Sequence, residues 1–242
     1  MSTPPLLVVM PAYNEEAALG DVLDELHREL PHVDVLVVDD GSDDHTAALA
    51  RSHGAIVAPK PVNTRHRGAH RCGFRYAVRH GYPRAVQFDA DGQHDPSEIK
   101  AIIDPIDDGA DMVVGSRFAG RGVYEAGRVR GAAMGTLRWG VRLATGKKFT
   151  DTSSGFRAFG PAALDLFAEH YPYEYMESVE ALVMACTNGL DVVEVPVRMR
   201  ARADGTPSTG RFRLVYHYVR VAMVMVSLTL FRRRYQFPED PS

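Results

Sequence analysis

The chain has 242 residues, 45% hydrophobic and 24% charged, which suits a folded globular protein and excludes a disordered, collagen-like or polytopic membrane chain. Its formal net charge of −3 carries no polyanion-binding signature, and its two cysteines, Cys72 and Cys186, are too few for a disulfide framework or a cysteine-rich zinc site. One α/β domain with appendages is expected at this length, large enough to bury a core without staples.

Leu6–Met10 reads as a buried strand. No basic segment precedes it, so no secretory signal is expected and the body of the chain is placed in the cytoplasm. Residues 15–30 follow as a helix with Leu19, Val22, Leu23, Leu26 and Leu30 on one face. Val33–Val38 is a second strand; Ser42 stands where a helix cap belongs, and Gly54 ends that helix. Ala55–Val57 is a short strand, and residues 67–80 form a helix that stops before Gly81. Ala85–Phe88, helix Ser97–Asp107 and strand Asp111–Gly115 continue the alternation, which predicts a mostly parallel sheet covered on both faces.

Beyond residue 120 the rhythm changes. Residues 120–127 are a glycine-rich loop and 130–145 a long helix. Asp151–Phe159 is mixed, Pro161–Phe167 opens a helix, 177–188 is another, and Leu190–Val197 is the last strand. Asp204–Gly210 is a polar, mobile stretch. From Arg198 to Arg234 there are nine arginines and one acid, Asp204. Within that span, Val221–Phe231 is too short an apolar run to cross a bilayer. On a helix, Arg213, His217, Arg220 and Ser227 share one face and Val215, Val219, Ala222, Val226 and Leu230 another. This pattern predicts an amphipathic helix lying on an anionic membrane surface, with packing on the domain, a homodimer partner or a membrane protein as alternatives. The division expected is residues 1–210 as the catalytic domain and 211–242 as a basic tail.

The chemistry is expected where polar clusters follow strands. Pro11, Tyr13, Asn14 and Glu15 follow the first strand, and Asp39, Asp40, Gly41 and Ser42 the second. Asp89, Asp91, Gln93 and His94 follow Ala85–Phe88, and Ser116 and Arg117 follow Met112–Gly115. In an open parallel sheet, ligands bind beyond the carboxyl ends of the strands. Asp89-Ala90-Asp91 at such an end suits a hard divalent cation, Mg²⁺ or Mn²⁺, with Gln93 as a further oxygen ligand and His94 a poorer one. No P-loop, no G-x-G-x-x-G after the first strand and no G-x-S-x-G elbow occurs. Arg67, Arg71, Arg75 and Arg79 lie along one helix face and read as solvated charge, so no nucleic-acid partner is expected. His66 and His70, four residues apart, lack the context of a metal-binding helix.

Five motifs occur in order: Pro11-Ala12-Tyr13-Asn14-Glu15, Val37-Val38-Asp39-Asp40-Gly41-Ser42, Asp89-Ala90-Asp91-Gly92-Gln93-His94, Gly115-Ser116-Arg117 and Thr152-Ser153-Ser154-Gly155-Phe156-Arg157. With them, residues 6 to about 210 resemble the family 2 glycosyltransferases of GT-A fold, nearest the dolichyl-phosphate mannosyltransferase and polyprenyl-phosphate glycosyltransferase branch. The resemblance implies that Pro11, Tyr13, Glu15, Val38 and Asp40 contact the donor nucleoside. It implies that Asp89, Ala90 and Asp91 hold the metal-bound diphosphate and sugar, with Asp89, Asp91 and Gln93 as metal ligands. Arg117 matches an arginine near the sugar and acceptor phosphate, and Arg202 a phosphate-binding arginine. Ser208 stands where relatives carry a lysine six residues after that arginine. Asp91 and Arg117 are the catalytic candidates, and Arg117, Arg128 and Arg130 the candidates for the acceptor phosphate. The implied activity is inverting, metal-dependent transfer of a hexose from a nucleotide sugar to a polyprenyl phosphate at the cytoplasmic membrane face. A soluble hydroxyl acceptor, or a nucleotide-sugar-binding subunit of a membrane complex, are the alternatives.

Overall fold

A computed structural model describes residues 5–62, 67–120, 128–172 and 177–200, together with Met223; the side chains of Arg67 and of residues 128–133 fall outside that description. Arg202, His66, the polar stretch 204–210, the tail 211–242 apart from Met223, and nearly all of the glycine-rich loop lie outside the described residues.

Among the described residues, β1 (Leu6–Ala12), β2 (Asp34–Asp39), β3 (Ile56–Pro59), β4 (Arg84–Gln87), β5 (Met112–Ser116), β6 (Arg157–Phe159) and β7 (Val192–Pro196) form one sheet in the order β3-β2-β1-β4-β6-β5-β7. Every pairing is parallel except those of β6, which runs antiparallel to β4 and β5. The helices are α1 (Leu19–Glu29), α2 (Thr46–Ser52), α3 (Arg67–Arg79), α4 (Ile99–Asp107), α5 (Arg128–Thr145), α6 (Pro161–His170) and α7 (Glu177–Thr187).

The strands read as continuous apolar runs because the sheet is buried on both faces. Alternate residues divide between two cores. Leu7, Val9, Leu36 and Val38 pack with α3, α5, α6 and α7, while Val8, Met10, Val35 and Val37 pack with α1 and α4. Helix α3 crosses β1 so closely that a Cβ on Gly73 would lie 2.2 Å from Val9 Cγ1. That approach holds the N-terminal turns of α3 against the centre of the sheet, where a cavity opens.

The expected cap at Ser42 is corrected. Helix α2 starts at Thr46 with His45 ahead of it and no side-chain cap. Ser42 Oγ instead accepts from the Asn14 N–H at 3.0 Å. Asn14 sits at φ 54, and its Oδ1 accepts from the Asp43 N–H at 2.9 Å. Glu15 N–H donates to Thr46 Oγ1 at 2.9 Å. The two loops after β1 and β2 are thus knitted together, and residues 15–18 are spent in the turn that precedes α1. The mixed segment 151–159 resolves into a loop followed by β6.

Candidate active site

Strand β1 has β2 on one side and β4 on the other, so sheet growth reverses there, and the crevice beyond such a switch point is where open α/β sheets bind ligands. Because β6 is antiparallel to β4, the residues just ahead of β6 reach the same edge as the end of β4. A cavity of about 300 Å³ opens at this place. Its walls are Pro11 and Glu15 after β1, and Gln87, Asp89, Ala90 and Asp91 at the end of β4. Ser153 and Gly155 enter ahead of β6, His70 from α3, and Glu177 and Ser178 from the start of α7.

The carboxylate loop is shaped by its own sequence. Gln87 ends β4, Asp89 follows it, and Ala90 and Asp91 lie in the turn that Gly92 continues at φ 73. Gln93 N–H donates to Asp91 Oδ1 at 3.1 Å, which orients that carboxylate. His94 is not a spare metal ligand. Its Nδ1 accepts from the Asp89 N–H at 3.0 Å, its Nε2 lies 3.5 Å from Asp89 Oδ2, and its ring stacks on Phe156 at 4.8 Å. Burial pushes the His94 pKa down against the pull of Asp89 and Asp91, so the ring is neutral and its Nε2–H faces Asp89. Such outer partners fix the orientation of a ligating carboxylate. A Cβ on Gly155 would stand 3.3 Å from Asp89 Oδ2, so glycine there leaves Asp89 its place.

This donor set fits Mg²⁺ or Mn²⁺. Asp89 and Asp91 bring hard oxygens to one cavity, and among the described residues no cluster of three or more His, Cys, Asp or Glu forms a protein cage. Mg²⁺ characteristically takes one or two carboxylates and completes its shell with phosphate and water. Four carboxylates line the cavity, those of Glu15, Asp89, Asp91 and Glu177. An anionic diphosphate needs a cation to enter it. Gln93 does not line the cavity; its carbonyl accepts from the Arg200 N–H at 2.8 Å. The backbone two residues short of Arg202 is therefore fastened to the carboxylate loop.

Of the residues expected to contact the nucleoside, Pro11 and Glu15 line the cavity. Val38 and Asp40 are buried, Tyr13 is half-buried, and none of the three lines the cavity. Asp40 is paired with Lys60 Nζ at 2.7 Å, a partner that sequence reasoning missed. Arg117 is held by Asp151, through Nε to Oδ2 at 2.7 Å and Nη2 to Oδ1 at 3.1 Å, and reaches Ser153 Oγ at 3.2 Å. Arg117 therefore meets the cavity through Ser153. Burial pushes the Asp151 carboxyl up, but the hydrogen bonds and charge of Arg117 outweigh it and hold the group below its ordinary value. Arg128 and Arg130 open α5, and their side chains are outside the described residues. In the arginine row of α3, Arg75 and Arg79 are exposed, whereas Arg71 Nε donates to Ala168 O at 3.1 Å and packs on α6.

His70 also escaped sequence reasoning. Its Nδ1 bonds Glu177 Oε1 across the α3–α7 junction. Burial alone would lower its pKa, but the charge and hydrogen bond of Glu177 raise it above the ordinary value. The available signal was a histidine on the apolar stripe of α3, in register with Gly73, Phe74 and Ala77.

The model of the family described as Glycosyl transferase family 2 matches residues 7–166. The chain belongs to that family and is a glycosyltransferase. It is 35% identical over 210 residues to the polyprenol monophosphomannose synthase of Mycolicibacterium smegmatis, covering 82% of this chain and 78% of that one. It is 32% identical to the undecaprenyl-phosphate mannosyltransferase of Micrococcus luteus, covering 83% and 85%. The fold is shared with glucosyl-3-phosphoglycerate synthase of Mycobacterium tuberculosis, solved with Mn²⁺, uridine-diphosphate-glucose and phosphoglyceric acid, at a TM-score of 0.69 and 22% identity over 93% of this chain and 79% of that one. Among the described residues, no helix is long and apolar enough to cross a membrane.

Proposed function

We propose that this enzyme transfers a hexose, with inversion, from a nucleoside-diphosphate sugar to a polyprenyl phosphate. The observation that carries this reading is the likeness, over about four fifths of each chain, to two enzymes named for mannosyl transfer to such lipids. The acid-lined cavity at the β1–β4 switch point supports it. Asp89 and Asp91 would hold Mg²⁺ or Mn²⁺. When bound, the cation would offset the charge that builds on the leaving diphosphate. His94 and Gly155 keep Asp89 in position, and the Asp91–Gln93 turn does the same for Asp91. Tyr13, Val38 and Asp40 would receive the nucleoside beside the cavity.

A phosphate acceptor has a second pKa of about 6 and arrives already ionised, so it needs no strong base. It needs cations that relieve its repulsion from the donor. Arg117, Arg128 and Arg130 would supply them, Arg117 also pinning the 151–155 loop through Asp151 and Ser153, and Arg202 would join the cation in offsetting charge on the leaving diphosphate. The basic tail 211–242 would rest on the anionic face of the membrane that carries the acceptor, at its cytoplasmic side.

The test is transfer of label from GDP-mannose, UDP-glucose and UDP-N-acetylglucosamine, with Mn²⁺ or Mg²⁺. Polyprenyl phosphate in anionic vesicles is offered in parallel with soluble hydroxyl acceptors. Label from one donor is expected in organic-extractable lipid and is expected to disappear with EDTA; GDP-mannose is the first donor to try, given the names of the two relatives. Label only in soluble glycosides would overturn the lipid acceptor. Donor binding without any transfer would point to a nucleotide-sugar-binding subunit.

A further inference from the structure

Two of the residues that line the cavity each carry a buried polar atom with no hydrogen-bond partner among the described residues: His70 Nε2 on α3 and Gln87 Oε1 on β4. Both residues are over nine-tenths buried, at 5% and 4% exposure. Leaving such atoms dry is costly, so an unsatisfied pair at one site asks for a ligand. Neither is explained by the fold. The other ring nitrogen of His70 is already engaged by Glu177, and the backbone of Gln87 pairs with Val9 of β1 and Arg157 of β6.

We propose that His70 and Gln87 form the hydroxyl-reading wall of the sugar subsite and help to set which hexose is transferred. This rests on the reading of the cavity as the donor site. The size of the cavity favours a sugar. About 300 Å³ is at the lower end of the ~300–1,000 Å³ usual for small-ligand clefts, room for one ring and not for a whole nucleotide sugar. Its charge favours a neutral group, because four carboxylates repel an anion that brings no cation of its own. Its donors and acceptors favour hydroxyls, which both donate and accept and so satisfy a ring nitrogen and an amide whichever way the amide is turned. Glu177, which also lines the cavity, fixes the imidazole through its Nδ1, and locked rotamers of this kind are what discriminating sites require. Gly155 sits beside the Gln87 amide, where a Cβ would be in ordinary contact with Nε2 at 3.5 Å.

The experiment is calorimetry with Mn²⁺ on the full chain, comparing the wild type with His70→Ala and Gln87→Met. The ligands are whichever of GDP-mannose, UDP-glucose and UDP-N-acetylglucosamine the wild type binds best, the set of its monodeoxy-hexose analogues, and the matching nucleoside diphosphate. The intact donor is expected to bind each variant about tenfold more weakly, and the bare diphosphate within about threefold of wild type. One monodeoxy donor should lose about tenfold on the wild type and nothing further on the variant that lacks its partner. Monodeoxy penalties that are the same in wild type and both variants would overturn the inference. So would equal weakening of the bare diphosphate, the sign of a merely structural role. Gln87→Met preserves volume and carries the test by itself if His70→Ala loses its melting transition. A wild type that binds no nucleotide hexose defeats the donor-site reading itself, a distinct result.

Discussion

Asp91→Asn is expected to lower kcat by ~10²–10³, the usual loss when one group is removed from a site that stabilises developing charge. The substitution keeps the shape of the side chain, and the amide oxygen still accepts from the Gln93 N–H, which now bonds Asp91 Oδ1 at 3.1 Å. What it removes is one of the two carboxylates that the β4 loop presents to the cavity. Asp91 is half-buried, and its loop is held independently by His94 and Arg200. Stability should therefore change by no more than ~0.5 kcal/mol. Steady-state kinetics and a thermal melt on the same preparation check both halves. Turnover within about threefold of wild type, with EDTA also harmless, would remove Asp91 from the cation site.

Arg117→Ala is expected to cost stability as well as activity. Asp151 is fully buried, and its charge is answered by the Arg117 guanidinium, itself only 23% exposed. Removing one partner of a buried pair strands the other charge, at a cost of about 3 kcal/mol, or roughly 6–12 °C of melting temperature at this chain length. Activity should fall too, because Ser153 bonds both Arg117 and Asp151 and lines the cavity. The effect depends on pH. In the wild type the Asp151 carboxyl titrates below its ordinary value of 3.8, so its stabilisation is complete above that pH and is lost as pH falls through the lower folded value. Without the Arg117 guanidinium, burial is opposed only by hydrogen bonds from the backbone N–H of residue 117 and from Ser153, so the carboxyl moves up and the variant lacks the stabilisation that the pair supplies above pH 3.8. The gap between the two proteins should be widest at neutral pH and close as pH falls below 4. Denaturant titrations across that range measure it, and a gap that does not change with pH would mean that Asp151 and Arg117 are not coupled.

Much of this site was legible in the sequence for a physical reason. Apolar strands followed at once by Glu15, Asp40, Asp89 and Arg117 place polar side chains on one edge of any parallel sheet, whatever the details of packing. Among the described residues, strand and helix positions agree with the structure to within a few residues, because apolar periodicity reports burial directly; the amphipathic helix expected in the tail lies outside them. What was not legible depends on long-range partners. Glu177 is 107 residues from His70, Asp151 is 34 from Arg117, and Lys60 is 20 from Asp40, and no local pattern links such pairs. Ser42 looked like a helix cap because its type fits that position; the loop after β1 claimed its hydroxyl instead. The segment 151–159 carried a motif but no periodicity, since a three-residue strand is too short to show one. Its antiparallel course, which brings Ser153 and Gly155 to the cavity, became visible only with the sheet. Gln87 left a trace: a glutamine in an otherwise apolar strand, in register with Asp89 and Asp91.

Anomalous diffraction from crystals soaked with Mn²⁺ and the donor nucleoside diphosphate locates the cation directly. A manganese peak is expected at bonding distance from carboxylate oxygens of Asp89 and Asp91, bridging to the diphosphate, with the nucleoside against Tyr13, Val38 and Asp40. A diphosphate bound at another edge of the sheet, or at this one with no manganese between it and the two aspartates, would contradict the assignment of the β1–β4 cavity as the donor site.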